Sequence, residues 1–150
     1  MDSIDRELIR LLQRDARASY QELAGAVRLS ANTVADRVRR LRASGVIRGL
    51  HAQLDPSALG RSLRIVSDIR LRDGVGRGDF ERGLSAVPQV VAGMRVTGDY
   101  DFQLTIACVD TAEFEQVIDA LKARHGVLES RSRLVLHEID VDPTRLLDAH

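Results

Sequence analysis

The 150-residue chain has little of the residue types that build disulfide scaffolds, aromatic cores or membrane spans. It contains one cysteine, three prolines and no tryptophan, and aromatic residues make up 3% of it. A single cysteine, Cys108, excludes an intrachain disulfide, and its apolar surroundings indicate a buried thiol in a reducing cytosol. No apolar run is long enough to cross a bilayer, and the N-terminus has the pattern of a charged helix instead of a signal peptide. We therefore expect a cytoplasmic protein.

The residue groupings of catalytic and metal sites are also missing from the sequence. Its four histidines are scattered, and no cysteine or carboxylate accompanies them at metal-ligand spacing: His51, His125, His137 and His150. Glycines 74, 76 and 78 invite comparison with a dinucleotide-binding loop, but the required spacing fails at Asp79. We therefore expect no catalytic residue, no metal and no cofactor, and a protein that is not an enzyme.

Three amphipathic helices are predicted at the front of the chain. Apolar residues recur at helical spacing from Ile4 to Leu12 behind a possible cap at Asp2, which indicates a first helix. Ser19 and Glu22 have the spacing of a capping box, so a second helix should begin at Tyr20. A third should follow the N-cap Ser30 and end near Gly45, with an apolar stripe at Val34, Val38 and Leu41.

The third helix presents a polar and basic face away from its apolar stripe. At about 100° per residue, Asn32, Asp36, Arg39 and Arg40 project outward, with Thr33 and Arg37 on one flank and Arg42 near the other. Arginine pairs with guanine or phosphate, and asparagine pairs with adenine, although arginines on an exposed helix are often only a solvated surface. After Gly45, alternating residues 46–54 suggest a hairpin or wing that carries Arg48. The predicted DNA-binding residues are Ser30, Asn32, Thr33, Asp36, Arg37, Arg39, Arg40 and Arg48.

The overall neutrality of the chain conceals two halves of opposite charge. Residues 1–50 carry ten arginines against six carboxylates, whereas residues 51–150 carry twelve basic residues against sixteen acidic ones. A basic half attracts nucleic acid, and an acidic half does not lie along phosphates. The charge distribution therefore favours DNA binding by the front half. Pro56 and Gly60 punctuate a short linker between the halves, so we expect a DNA-binding domain at residues 1–54, a linker at 55–61 and a second domain at 62–150.

The second domain has the pattern of a βαββαβ sandwich. A strand begins near Leu63, and a helix capped by Asp79 ends before Pro88. Two strands over residues 90–97 and 101–109 flank a possible two-residue turn at Gly98-Asp99, and a capping box at Asp110 and Glu113 begins another helix. A last long strand should cover residues 127–141. This order predicts a ferredoxin-like antiparallel sheet with helices on one face, so dimerisation through the other face is expected.

Three segments of this α+β chain together resemble the Lrp/AsnC (feast/famine) family of transcriptional regulators. They are the stretches IDRELIRLLQRDARASYQELA at 4–24, LSANTVADRVRRLRASGVIRG at 29–49 and TGDYDFQL at 97–104. The resemblance implies a winged helix-turn-helix followed by a ferredoxin-like, RAM-type effector and dimerisation domain. It further implies a homodimer, often assembled to an octamer, that binds promoter DNA and responds to a small effector, commonly an amino acid.

The resemblance also implies an effector site between neighbouring sheet domains. Its residues in this chain would be Gly98, Asp99, Tyr100, Asp101, Ser130 and Ser132. Carboxylates there can accept from an amino-acid ammonium, and hydroxyls or amides can donate to its carboxylate. Many relatives carry threonine where this chain has the two serines, which leaves the identity of the effector open.

Two other functions are compatible with this architecture. A nucleoid-organising protein would use the same basic face to coat DNA with little sequence preference. Some haem-precursor decarboxylases resemble the family in both domains, but they need basic and histidine residues around a tetrapyrrole, and TGDYDFQL is the turn of a regulator. Sequence-specific regulation of transcription is therefore the preferred interpretation.

Overall fold

Three helices form the front of the protein in the computed structural model, which describes residues 1–148. They are α1 (Ser3–Arg14), α2 (Tyr20–Val27) and α3 (Ala31–Ala43). Asp2 and Ser19 cap α1 and α2 in reciprocal capping boxes with Asp5 and Glu22. The helices share one apolar core whose fully or almost fully buried members are Leu8, Leu12, Leu23, Ala24, Val34 and Val38. The predicted helix-turn-helix is confirmed.

The prediction of a β-hairpin wing after α3 is wrong for the structure of one protomer. No strand is present between residues 46 and 54. Gly45 turns the chain in the left-handed region at φ 77°, and the amide of Ile47 donates to the carbonyl of Leu41 at 3.0 Å. This bond fixes the start of an irregular segment that forms no strand pairing between residues 46 and 54. Arg48 therefore lies on an irregular segment.

A four-stranded antiparallel sheet carries the rest of the described chain. Its strands are β1 (Leu63–Leu71), β2 (Val90–Arg95), β3 (Phe102–Cys108) and β4 (Val127–Leu134), in the spatial order β2-β3-β1-β4. The helices α4 (Arg77–Gly83) and α5 (Thr111–Arg124) pack on one face of it. The core between sheet and helices includes Ile69, Phe80, Phe102, Leu104, Ile106 and Leu121. The predicted α+β order βαββαβ is confirmed.

Several predicted boundaries shift in the structure. The helix expected to begin at Asp79 starts at Arg77 with Gly76 as its cap, and the last strand ends at Leu134 instead of residue 141. The turn at Gly98-Asp99 is longer than two residues, since the amide of Val96 donates to the carbonyl of Asp101 at 3.0 Å. Glu113 accepts from the amide of Val109 instead of closing the capping box with Asp110.

The chain divides into two compact units that differ from the predicted domains at the C-terminus. One unit comprises residues 1–53 and the segment from Asp140 onward, and the other comprises residues 54–139. A short 3₁₀ helix at Pro143–Asp148 lies against α1, so the end of the chain returns to the first unit. Residues 149 and 150, which the predicted second domain includes together with His150, lie outside the described residues. No helix among residues 1–148 is long and apolar enough to cross a membrane.

Candidate DNA-binding and effector sites

The start of α3 is fixed by two hydroxyl side chains. The Ser30 Oγ accepts from the Thr33 amide at 3.1 Å and lies 2.8 Å from the Thr33 hydroxyl. This cap satisfies one of the free amides at the helix start. Val34 and Val38 are at most 2% exposed, so their stripe faces the core and the opposite face of α3 is turned to solvent. Ser30 and Thr33 therefore position the helix as well as border its exposed face.

The outward face of α3 holds one carboxylate between two guanidinium groups. Asp36 lies 2.7 Å from the Nη1 of Arg39 and 3.5 Å from the Nε of Arg40, and all three side chains are more than half exposed. Asn32 is exposed on the same face. Exposed ion pairs of this kind contribute little to stability, and their groups are free to exchange partners. This face can donate to guanine or phosphate, and Asp36 can accept from cytosine.

Arg37 is a predicted DNA contact that has two carboxylate partners within the protein. Its Nη1 donates to Asp2 at 2.7 Å and to Asp5 at 2.8 Å, and its side chain is 19% exposed. The hydrogen bonds to Asp5 and Asp2 raise the pKa of Arg37 above its ordinary value. In this structure the Arg37 side chain thus connects α3 to the start of α1, and its contact with DNA stays a prediction.

A hollow on the opposite flank of α3 brings together residues that the sequence did not group. It measures about 580 Å³ and is lined by Tyr20, Ala35, Arg39, Arg42, Ala43, Ile47 and Arg48. Arg48, expected on a wing, lines this hollow from the irregular segment after Gly45. From the sequence, Arg42 is expected only near a flank of α3, and Tyr20 only as the first residue of α2. The proximity of Tyr20 to α3 depends on helix packing, which no local pattern in the sequence indicates.

The turn between β2 and β3 is anchored by Asp101. Its Oδ2 accepts from the amide of Leu71 at 2.9 Å, and its Oδ1 accepts from Arg77 at 2.9 Å. The Leu71 amide and the Arg77 guanidinium lower the pKa of Asp101 against the opposing effect of burial. Gly98 takes a φ of 104° at the tip of the turn, a conformation that favours glycine. Asp101 thus has two protein partners, whereas the Asp99 side chain is exposed.

Tyr100 extends from this turn over the face of the sheet that has no helices. Its hydroxyl lies 3.1 Å from a carboxylate oxygen of Glu129, and the Arg70 guanidinium lies 5.2 Å from the centre of its ring. Arg70 also pairs with Glu129 at 3.3 Å and donates to the Asp99 carbonyl at 2.8 Å. These contacts fix the turn against the end of β1 and the start of β4.

Ser130 and Ser132 face the other side of the sheet. They pair with Ile69 and Ser67 in the ladder, and the Ser132 hydroxyl lies 2.8 Å from the hydroxyl of the buried Ser67. Together with α5 they border a small hollow of about 230 Å³, whose other lining residues are Phe114, Glu115, Ile118 and Asp119. The six predicted effector residues therefore form two groups within one protomer, because neighbouring residues of a strand point to opposite faces.

No cluster of three or more potential metal ligands is present among residues 1–148. Within that range, His51 and His137 are exposed, and His125 lies at the end of α5. The fourth histidine, His150, lies beyond the last described residue.

Comparisons with known proteins agree with both units. Residues 1–42 match the AsnC-type helix-turn-helix domain, and residues 66–144 match the Lrp/AsnC ligand binding domain. The HTH-type transcriptional regulator FL11 of Pyrococcus horikoshii is 31% identical over 91% of this chain and 89% of its own length. The leucine-responsive regulatory protein of Escherichia coli is 31% identical over 93% of this chain and 87% of its own length.

A solved structure shows the same fold with an amino acid bound. It is the complex of the transcriptional regulator NMB0573 of Neisseria meningitidis with L-methionine, which is 28% identical to this chain. The TM-score is 0.85, and the match covers 96% of this chain and 95% of the other.

Proposed function

Since the chain belongs to the Lrp/AsnC family of effector-responsive, DNA-binding transcriptional regulators, we propose that α3 reads operator DNA and that the effector is an amino acid. The observation that carries the first part is the outward face of α3, where Asn32, Asp36 and Arg40 are exposed beside a basic flank. These are the donor and acceptor types that distinguish base edges in the major groove. We further propose that residues 1–54 bind DNA, that 55–61 form the linker, and that the sheet domain from residue 62 carries the effector and assembly functions, although the segment from Asp140 onward packs with the first unit.

The base-reading role of α3 is tested by the variant Arg40→Ala. Its binding to a duplex from the region upstream of its own gene should weaken by about 5- to 150-fold, because a good base contact contributes about 1–3 kcal/mol. Arg17→Ala is the matched control, since Arg17 is exposed and lies outside α3. Equal affinity of the Arg40 variant and wild type, with unchanged circular dichroism, would remove Arg40 from the interface.

Footprinting on the same upstream region separates a local regulator from a nucleoid-organising protein. A few protected sites with dyad symmetry are expected, since a dimer presents two recognition helices. Uniform protection would show the architectural role instead. The decarboxylase is not proposed, because the relatives described above are transcriptional regulators. A Soret band in the purified protein together with release of CO₂ from added substrate would reverse that choice.

The amino-acid effector is supported by the chemistry of the two groups of predicted residues. Ser130 and Ser132 offer hydroxyls to a carboxylate, and Glu115 and Asp119 beside them can accept from an ammonium group. The turn at residues 98–101 adds the exposed Asp99. Because the two groups face different sides of the sheet, we propose that neighbouring protomers bring them together. The NMB0573 complex, which holds L-methionine, supports a ligand of this class.

The effector is identified by thermal-shift measurements with L-methionine and the other nineteen standard amino acids. Binding to the native state raises the apparent melting temperature by mass action, so at least one amino acid should raise it. Ser130→Ala and Asp99→Asn should reduce that shift, whereas Ser57→Ala in the linker should leave it unchanged. Asp101→Ala should blunt the response by releasing the turn. Shifts that survive in the Ser130, Asp99 and Asp101 variants would place the effector elsewhere.

A second copy of the chain is the proposed cover for the helix-free face of the sheet. Val66 lies on this face, as does Met94, which is 57% exposed. Polar contacts link neighbouring strands on the same face, since Asp68 of β1 pairs with Arg133 of β4 at 2.7 Å and accepts from Gln103 of β3 at 2.9 Å. Met94→Asp should shift the sedimenting mass from dimer or octamer toward monomer. An unchanged mass would place the interface on another surface. We propose a cytoplasmic homodimer that can assemble further to an octamer.

A further inference from the structure

The hollow beside α3 is distinct from the outward face that is proposed to read bases. The small side chains of Ala35 and Ala43 on α3 contribute to its wall. Ile47 closes another side, and its position is fixed by the hydrogen bond from its amide to the Leu41 carbonyl. The remaining lining residues are three arginines and one tyrosine: Arg39, Arg42, Arg48 and Tyr20.

The charged side chains that line this hollow are all positive. None of its lining residues carries a carboxylate. Arg42 and Arg48 form no ion pair with any residue in the part of the chain that the structure describes. Arg39 has a single partner, Asp36, and its side chain is 72% exposed, so this pair can open at little cost. Three arginines and one tyrosine thus line a hollow that has no acidic side chain.

We propose that this hollow, formed by Tyr20, Arg39, Arg42 and Arg48, seats a phosphate of the DNA backbone. The proposal rests on the DNA-binding function of α3 and adds a second surface to it. Arginine recognises the oxygens of a phosphate through paired N–H groups, and tyrosine hydroxyls are common donors to the backbone. The hollow adjoins the outward face of α3 through Arg39, which borders both surfaces.

A division of labour follows from the different chemistry of the two surfaces. The outward face contains Asp36, whose carboxylate repels phosphate but can accept from a base edge. The hollow contains hydrogen-bond donors and no acidic side chain, so its chemistry suits a phosphate. A contact with a phosphate carries no information about the base sequence. Arg42 and Arg48 therefore act on affinity for any duplex, whereas Asn32 and Arg40 act on the preference for the operator.

The salt dependence of DNA binding tests this assignment. Each neutralised phosphate contributes about 0.9 to the slope of log K against log salt concentration. The double variant Arg42→Ala/Arg48→Ala should lose about 1 from that slope and weaken binding to the operator and to an unrelated duplex by the same factor. Tyr20→Phe should weaken both duplexes equally without changing the slope, because it removes a donor and no charge.

Two matched variants control for charge and folding. Arg42→Lys keeps the cation and should keep a slope close to that of wild type, whereas Arg42→Ala should lower it. Arg17→Ala removes an exposed charge outside the hollow and should change the slope less than the substitutions in the hollow. Both arginines of the double variant are exposed and unpaired among residues 1–148, so it should keep the circular dichroism and melting temperature of wild type.

The results of these binding measurements distinguish failure of the phosphate site from failure of the DNA-binding function. If wild type binds DNA and the double variant keeps both slope and affinity, the phosphate site is overturned while DNA binding stands. A double variant that loses operator preference but keeps its affinity for unrelated duplexes also overturns it, since the arginines would then read bases. If wild type binds no duplex, the DNA-binding function itself fails, and the phosphate site fails with it.

Discussion

At the scale of single residues, Glu113 joins three parts of the sheet unit. Its Oε1 accepts from Arg61 at 2.7 Å and from Gln89 at 2.8 Å, and its Oε2 accepts from the amide of Val109 at 2.7 Å. The bonds from Gln89, Arg61 and Val109 lower the pKa of Glu113 from 4.5 to about 2. The charged carboxylate therefore holds the chain before β1, the start of β2 and the end of β3 together.

Glu113→Gln should make the sheet unit less stable near neutral pH and less sensitive to acid. Because folding lowers the pKa, the ionised group stabilises the fold fully above about pH 4.5, and this stabilisation is lost as pH falls toward 2. The stability difference between wild type and variant should be constant above pH 5 and shrink below it, as measured by urea unfolding at several pH values. Glu115→Gln, an exposed neighbour on α5, is the control. A difference that does not change with pH would contradict the assignment.

Arg28 is the residue with an unusual backbone conformation in the helix-turn-helix. It follows α2 at φ 56° and ψ 46°, and among residues 1–148 no other residue except glycine has a positive φ. The left-handed conformation costs about 1–2 kcal/mol for a side-chain-bearing residue, and glycine avoids this cost but loses more chain entropy on folding.

Arg28→Gly should therefore stabilise the first unit by about 0.5–1 kcal/mol. Gly45→Ala should have the opposite sign, since Gly45 has a φ of 77° although nothing lies within 4 Å of the added methyl group. Thermal unfolding of both variants measures the two effects. Destabilisation by Arg28→Gly would mean that the arginine side chain contributes more than its backbone costs.

At the scale of elements, α1 holds the recognition helix through Arg37. Arg37→Gln should lower the melting temperature of the first unit, because Asp2 and Asp5 both lose their partner. Asp5→Asn should lower it as well, and the two substitutions combined should cost less than the sum of the single ones. The salt slope of DNA binding should stay at the wild-type value. A slope reduced by about 1 would return Arg37 to the DNA interface.

Helices were more predictable from the sequence than strand ends. The caps at Asp2, Ser19 and Ser30 are local signals, and each begins a helix where the pattern predicts it. The end of β4 depends instead on its neighbour. Apolar residues continue up to Val141, but β1 begins at Leu63. The amide of Val135 donates to the carbonyl of Arg64, close to the start of β1. A strand without a partner cannot continue the ladder.

The candidate sites show the same contrast between local and tertiary information. The outward face of α3 follows from helical periodicity, so Asn32, Asp36 and Arg40 are exposed as predicted. The fate of Arg37 depends on carboxylates 32 and 35 residues away, and the hollow at Tyr20 depends on the packing of α2 against α3. Periodicity within one element cannot give either contact.

At the scale of the whole molecule, the chain returns to its first unit after completing the sheet. Asp142 accepts from the amide and the hydroxyl of Thr144 at 2.8 Å, which begins the short helix at Pro143–Asp148. Asp148 pairs with Arg10 of α1, and Leu147 lines an apolar groove with Ile9. Only five residues separate Asp140 from the end of β4, the strand that carries Ser132 of the proposed effector site. Two chain crossings therefore connect the units, one at each end of the sheet domain.

Truncation after Ile139 should loosen α1 and leave the sheet unit unchanged. Removal of the C-terminal segment exposes Ile9 and frees Arg10, so the amides of α1 should exchange hydrogen faster while those of β1 and β3 keep their protection. Asp148→Asn should show a smaller effect in the same direction, and Asp140→Asn should show none. The truncated protein should also bind operator DNA more weakly, because α1 holds α3 through Arg37. If the amides of α1 exchange hydrogen at the same rate in the truncated protein, the C-terminal segment contributes nothing to the stability of the DNA-binding unit. Any coupling between effector binding and DNA binding would then run through the linker at residues 55–61 alone.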